Sequence, residues 1–135
     1  MQIKKVIKRF LEWIQLKKKL HISTFKSPLI TEGNIWWASI GENVGKEING
    51  KSNLFSRPVL IFKKISRETF LGLPLTTQKR KGTWYVAIRQ GNCDIIVILA
   101  QARVLDSKRL SSRIGSIDDE DMKKVKTGFA RLFLP

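Results

Sequence analysis

The sequence contains one cysteine, Cys93, and one histidine, His21, in 135 residues. A single cysteine excludes an intrachain disulfide and a metal site built from several thiolates. A single histidine excludes a catalytic histidine pair and a histidine-rich metal site. We interpret Cys93 as a small residue near the start of a strand and His21 as a solvated linker residue. This cysteine usage favours a reducing compartment, the cytoplasm.

Long apolar runs and acidic residues are also scarce. The longest apolar run, Ile95 to Ala100, is far shorter than a membrane-spanning helix requires. Lys8, Arg9 and Glu12 interrupt the apolar core that a signal peptide would need. With 11 acidic residues against 26 lysines and arginines, the formal net charge is +15. Such a charge indicates a polyanionic partner, with nucleic acid the first expectation and an anionic membrane surface the second.

Residues 1–30 are interpreted as a basic amphipathic helix followed by a linker. From Ile3 to Leu16 the apolar residues occupy an arc of roughly 160° on a helical wheel, opposite several lysines. The segment Leu20 to Glu32 lacks this periodicity, and its Pro28 disfavours helix before it. Three roles for the helix stay open: packing on the domain or on a dimer mate, lying on a membrane surface, or adding positive surface for nucleic acid.

Residues 31–135 are interpreted as one mainly β domain closed by a helix. Short β-favouring segments alternate with glycine-rich or charged turns, which predicts five or six antiparallel strands in a small barrel or coiled sheet. The final segment, Asp118 to Phe133, has a helical apolar stripe with Asp118 as its N-cap, so the acidic cluster there is assigned to capping and not to a metal. The predicted strands are NIWWASIG, RPVLIFKK, TFLGLPL, TWYVAIRQ, IIVILAQ and ARVLD, with turns at KRKG and GNCD and a short helical turn capped by Asp106.

The segment Gly45 to Ser52, GKEINGKS, matches the letters of the phosphate-binding P-loop. In a P-loop the glycine-rich turn runs directly into a helix whose amide groups hold the phosphates. Here the following residues lead to Arg57-Pro58 and a predicted strand. The sequence therefore favours a loop that precedes a strand, and not an NTPase site.

Polar residues that can bind a phosphodiester flank two consecutive predicted strands. Glu47 and Arg57 precede the first strand, and Thr76, Thr77 and Gln78 follow the second. Antiparallel pairing would place Arg57 beside Thr76. A carboxylate, an arginine and hydroxyl donors are suited to metal-free RNA cleavage where no histidine pair exists, with Glu47 acting as base or ordering Arg57 by pairing with it. The alternative is ordinary strand-end chemistry.

Six motifs occur in a specific order between Glu32 and Phe133. They are GNIWWASIG, the G-x-E-x-x-G loop, RPVLI, PLTTQ, LAQARVLDSKRL and IGSIDDEDMKKVKTGF. Their order and spacing resemble the MazF/PemK toxins of bacterial toxin–antitoxin systems. The resemblance implies an SH3-like antiparallel barrel, a homodimer, and an endoribonuclease toxin that cleaves single-stranded RNA at short sequences.

The resemblance also implies roles for individual residues. By motif, Arg57 and Thr76 bind the scissile phosphate, and Glu47 is the loop glutamate that assists proton transfer. Cleavage would use no metal or cofactor and would leave a 2′,3′-cyclic phosphate and a 5′-hydroxyl. A cognate antitoxin would inhibit by laying a flexible acidic segment over the basic surface. The residues predicted to contact RNA around this centre are Lys46, Lys51, Thr77, Gln78, Lys79 and Arg80.

Two features depart from the family pattern. Ile48 follows Glu47 where the family often has glutamine, and Lys51 to Ser56 lengthen the loop before Arg57. A longer loop would lie over the RNA and affect the sequence that is cleaved. The alternative function is a non-catalytic SH3-like module that binds nucleic acid or protein. In that case Trp36, Trp37 and Trp84 would stack on bases, although such residues more often belong to a core.

Overall fold

The computed structural model describes residues 2–135, which contain two α-helices and seven β-strands. Helix α1 covers Ile3–Ile22 and helix α2 covers Asp119–Phe133. Neither helix is long and apolar enough to cross a membrane. The strands are β1 Asn34–Ser39, β2 Ser56–Lys64, β3 Thr69–Thr76, β4 Tyr85–Gln90, β5 Cys93–Ile98, β6 Arg103–Asp106 and β7 Leu110–Ser116.

The strands pair antiparallel in the order β4-β5-β3-β2-β1-β7, and β6 pairs with β3 outside this path. The sheet divides at β3, since Thr69–Gly72 pair with β6 and Leu75–Thr76 pair with β5. Its two ends approach each other, because a Cβ on Gly115 of β7 would lie 2.0 Å from Nε2 of Gln90 in β4. The prediction of a mainly β, SH3-like antiparallel barrel with an N-terminal and a C-terminal helix is confirmed.

Two clusters of buried side chains fix the register of β2 and β3. Ile61 and Phe70 belong to one cluster, and Leu60 and Leu73 belong to the other. Because successive strand residues point to opposite faces, a slip of one residue would exchange the two sets. Each of these buried side chains contributes about 1.5–3 kcal/mol of transfer free energy, so such a slip is strongly disfavoured. Helix α2 covers the second cluster with the buried Val125.

Helix α1 packs on the barrel of its own chain through Trp13, but most of its predicted apolar arc stays exposed. Packing on the domain therefore accounts for only part of that arc, and the exposed part includes Ile3, Ile7, Leu11 and Ile14. Trp13 is buried, and its ring lies 5.6 Å from that of Phe55. The indole also lies against Gly41, where a Cβ would approach it to 2.2 Å and where φ is +92°. Both the space and the backbone therefore require glycine at this position. At the other end of the helix, Lys108 Nζ donates to the carbonyl oxygen of His21 at 3.0 Å.

Both predicted aspartate caps are confirmed. Asp118 Oδ1 accepts a hydrogen bond from the Asp121 N–H at 2.8 Å, and Asp106 Oδ1 accepts from the Lys108 N–H at 2.8 Å. Asp121 has a second role, because its Oδ2 accepts from the Arg89 N–H at 3.0 Å. The acidic cluster thus starts helix α2 and ties it to β4.

Four details of the sequence prediction are wrong. Helix α1 continues to Ile22, beyond the predicted linker start at Leu20, because the half-buried Leu20 extends its packed face. Strand β5 begins at Cys93, inside the predicted turn. The predicted strand TWYVAIRQ includes Trp84, but Trp84 precedes β4 and is 56% exposed. Strand β7 was not predicted, because its mostly exposed, polar residues lack alternation and it is held by pairing with β1.

Candidate functional site

The register of β2 and β3 brings Arg57 and Thr76 together. Val59 pairs with Pro74, and the same register extended by two residues places Arg57 opposite Thr76. Both residues line a cleft of about 400 Å³ beside the loop that leads into β2. The other residues that line this cleft are Trp37, Lys51, Ser52, Ser56, Pro58, Leu75, Thr77, Gln78 and Ile95.

Two backbone carbonyls hold the Arg57 side chain. Its Nε donates to the carbonyl oxygen of Asn49 at 2.9 Å, and its Nη1 donates to that of Leu75 at 3.4 Å. Burial lowers the pKa of Arg57 because desolvation disfavours the charged form, but arginine remains protonated in proteins. A guanidinium has five N–H donors, so three remain for a ligand. Arg57 is thus an oriented cation whose planar fork suits two oxygens of one phosphate.

Thr76 is the last residue of β3 and is half-buried. Its Oγ1 accepts a hydrogen bond from the Gln78 N–H at 3.2 Å, which leaves the hydroxyl hydrogen free to donate. The Gln78 side chain in turn accepts from Arg80 Nη2 at 2.6 Å. Thr76 therefore adds a neutral donor to the cleft that contains the Arg57 cation.

Most of the residues predicted to contact RNA lie in or beside this cleft. Lys51, Thr77 and Gln78 line it, and Lys79 and Arg80 follow on the exposed segment after β3. Lys46 does not line it; its backbone carbonyl accepts a hydrogen bond from Gln101 Nε2 at 3.0 Å. Among the described residues, none that lines the cleft is acidic. The local charge therefore favours an anionic ligand.

Glu47 lies in a different pocket, of about 390 Å³, together with Asn43 and the 100–103 segment. Its Oε1 accepts a hydrogen bond from the Val44 N–H at 2.9 Å. The loop connects this pocket with the cleft, since Asn49 accepts from the Asn43 N–H through Oδ1 and from Arg57 through its carbonyl. Arg57 is therefore oriented by backbone carbonyls and not by the predicted pairing with Glu47.

The sequence analysis did not identify the uncharged side chains that order the loop containing Glu47. Gln101 Oε1 accepts from the Ile48 N–H at 2.9 Å, and Asn43 Nδ2 donates to the Ile48 carbonyl at 2.8 Å. A single amide side chain produces no periodicity or spacing that would predict its role. The only sequence signal for Gln101 is its place in the motif LAQARVLDSKRL. The P-loop letters end in a turn that leads into strand β2 and not into a helix, as the sequence predicts.

Trp37 differs from the expectation that a tryptophan in a predicted strand belongs to the core. Here Trp37 is 41% exposed and lines the cleft, whereas Trp36 is half-buried. Trp37 pairs with Pro58 across β1 and β2. It therefore brings a ring into the cleft that Arg57 also lines, where a nucleic-acid base can stack.

The fold and the site define a small β-barrel protein with a cationic cleft at the ends of two central strands. Residues 31–133 match the family model described as PemK-like, MazF-like toxin of type II toxin-antitoxin system. The chain is 30% identical over 107 residues to Endoribonuclease EndoA of Bacillus subtilis (strain 168), a match that covers 72% of this chain and 88% of that relative. The chain belongs to the PemK-like, MazF-like toxin family.

Solved structures have the same fold. MazF (Form-I) from Deinococcus radiodurans matches with a TM-score of 0.64 at 17% identity, over 80% of this chain and 99% of that one. An endoribonuclease in complex with its cognate antitoxin from Mycobacterial species matches with a TM-score of 0.61 at 22% identity, over 81% and 98% of the two chains. Helix α1 lies outside the 31–133 segment that matches the family.

Proposed function

We propose that this protein is an endoribonuclease toxin that cleaves single-stranded RNA at short sequences without a metal ion. The proposal is carried by the convergence of the Arg57 guanidinium and the Thr76 hydroxyl in one cleft that lacks acidic lining residues among those described. Lys51, Lys79 and Arg80 add positive charge for the neighbouring phosphates. The name of the Bacillus subtilis relative, an endoribonuclease, supports the same activity.

In the proposed reaction the ribose 2′-hydroxyl is the nucleophile. Its oxygen attacks the adjacent phosphorus while the bond between phosphorus and the 5′-oxygen breaks. One proton leaves the 2′-oxygen and one is delivered to the 5′-oxygen, so the products are a 2′,3′-cyclic phosphate and a 5′-hydroxyl. Negative charge grows on the non-bridging oxygens, where Arg57 donates paired hydrogen bonds and Thr76 donates a further one.

The role proposed for Glu47 is to order the loop that supports Arg57. The family resemblance assigns proton transfer to this residue, but its carboxylate binds the Val44 N–H in the second pocket. Its second carboxylate oxygen could still accept a proton, but Glu47 does not line the cleft and would have to reach it to act as a base there. In the observed conformation Glu47 instead stabilises the loop whose Asn49 carbonyl orients Arg57.

A cognate antitoxin and a second copy of the chain are proposed as partners. Solved relatives include an endoribonuclease bound to its cognate antitoxin and a MazE–MazF pair from Deinococcus radiodurans. Because the cleft has basic and no acidic lining residues among those described, a flexible acidic segment is the chemistry that competes with RNA there. We propose that the toxin acts as a homodimer in the cytoplasm.

The test is to incubate the purified protein with long single-stranded RNA and to sequence the fragments from their 5′ ends. The proposal expects new 5′-hydroxyl ends at a short recurring sequence, with no such ends in a fully duplex RNA. A module that only binds RNA would retain the substrate without producing ends. Binding without new ends would therefore overturn the proposed activity and favour the non-catalytic alternative.

A further inference from the structure

The turn at residues 51–56 has a strained backbone and forms one wall of the cleft. Lys51 and Ser56 exchange two backbone hydrogen bonds of 2.8 and 3.0 Å. Between them, Ser52 and Phe55 have φ values of 62° and 49° and are the only non-glycine residues with positive φ in residues 2–135. Such conformations persist only where the surrounding structure fixes them. Because Lys51 and Ser52 line the cleft, the position of this wall depends on what holds the turn.

Helix α1 holds the turn from outside. Phe55 is buried, with its ring 5.6 Å from the Trp13 ring and 3.7 Å from Cζ of Arg9. Arg9 Nη1 donates to the Ser52 carbonyl oxygen at 2.9 Å, and Arg9 Nη2 lies 3.5 Å from the Glu42 carboxylate. One side chain therefore contacts both left-handed residues of the turn and the loop that follows β1.

The three contacts that Arg9 makes need a planar guanidinium. The planar guanidinium stacks on an aromatic face while its edge donates to a carbonyl and pairs with a carboxylate. A lysine ammonium can keep the ion pair, but it has no plane with which to stack. Arg9 is only 32% exposed and its cation already has protein partners, so it acts on the turn and not as a direct RNA ligand.

We propose that Arg9 and Trp13 of helix α1 are positioning residues for RNA binding. Arg9 and Trp13 brace the 51–56 turn so that Lys51 and Ser52 contact RNA beside the scissile phosphate and contribute to the sequence preference. This inference rests on the proposed endoribonuclease function. It assigns a role in substrate binding to a segment outside the 31–133 family match.

The brace has a kinetic signature that a general loss of structure lacks. Contacts from the turn bind RNA equally in the ground state and in the transition state, so their loss raises KM and leaves kcat unchanged. The carbonyls that hold Arg57 belong to Asn49 and Leu75, whereas Arg9 donates to the Ser52 carbonyl, so we expect the action of Arg57 on the phosphate to persist. The sequence preference should relax together with the rise in KM.

The experiment compares Arg9→Ala and Arg9→Lys with Lys8→Ala in the full chain. Lys8→Ala is the matched control, because this substitution also removes one positive charge from helix α1. The Lys8 side chain is 79% exposed. Hydrogen–deuterium exchange is measured in peptides covering residues 50–56, and kcat and KM are measured on one oligonucleotide that contains the mapped cleavage site. In Arg9→Ala we expect higher deuterium uptake at 50–56, a KM raised about 5- to 10-fold and a kcat within about twofold of wild type. Arg9→Lys should lie between Arg9→Ala and wild type, and Lys8→Ala should match wild type.

The contrary results are equally specific. Wild-type uptake at residues 50–56 in Arg9→Ala would overturn the brace, and raised uptake with unchanged KM would overturn its role in RNA binding. An equal rise in KM in Lys8→Ala would assign the effect to charge alone. If the wild-type protein cleaves no RNA, the proposed function fails by itself. The exchange data and the affinity for one fixed single-stranded RNA, compared between wild type and Arg9→Ala, then still decide whether Arg9 braces an RNA-binding turn.

Discussion

Replacing Arg57 by lysine separates the geometry of the guanidinium from its charge. The substitution keeps a cation, but one ammonium cannot donate to the Asn49 and Leu75 carbonyls and also present a planar fork to a phosphate. Complete loss of one such transition-state donor, as in Arg57→Ala, costs about 10²–10³ in rate. Since lysine restores part of the electrostatic attraction, we expect Arg57→Lys to lose about 10- to 100-fold in kcat, or about 1.4–2.7 kcal/mol of transition-state stabilisation.

Single-turnover cleavage of one oligonucleotide by saturating protein measures this loss free of product release. The control is Arg131→Lys, the same substitution at an exposed position of helix α2 that does not line the cleft. Because Arg57 interacts with charge that develops on the phosphate in the transition state, Arg57→Lys should lower kcat more than it raises KM. Activity of Arg57→Lys within about twofold of wild type would refute the argument from fork geometry.

Two further predictions concern Glu47 and the charged rim. Glu47→Gln keeps an acceptor for the Val44 N–H but removes the base, so cleavage should stay within about threefold of wild type; a loss of about 100-fold or more would restore the proton-transfer role. If Arg57, Lys51, Lys79 and Arg80 neutralise about four phosphates, affinity for single-stranded RNA should fall about 50-fold between 50 and 200 mM salt. A titration with no salt dependence would contradict this electrostatic account.

The Arg57–Thr76 pair was predictable because it depends on local patterns. The strands flanking the pair alternate between two buried clusters, so their register follows from their own residues. Strand β7 gave no such signal, because its exposed residues owe their conformation to the partner strand β1. The sequence therefore predicts the buried strands of the barrel, but it does not predict the exposed strand β7.

The loop around the site was less predictable because distant residues order it. Glu47 is in the predicted segment, but the pocket it occupies is built with Gln101, far along the chain. The contact between Arg9 and Ser52 joins residues 43 positions apart. Sequence periodicity placed Arg9 in a basic helix, but it carries no information about which turn that helix contacts.

The central claim is that the cleft containing Arg57 cleaves RNA by attack of the 2′-hydroxyl without a metal ion. The most direct measurement is the end chemistry of RNA fragments produced in EDTA by the wild-type protein and by Arg57→Ala. We predict 2′,3′-cyclic phosphate and 5′-hydroxyl ends from the wild type, with a rate about 10²–10³ lower for Arg57→Ala. Loss of wild-type cleavage on chelation, 5′-phosphate ends, or full activity of Arg57→Ala would contradict the claim.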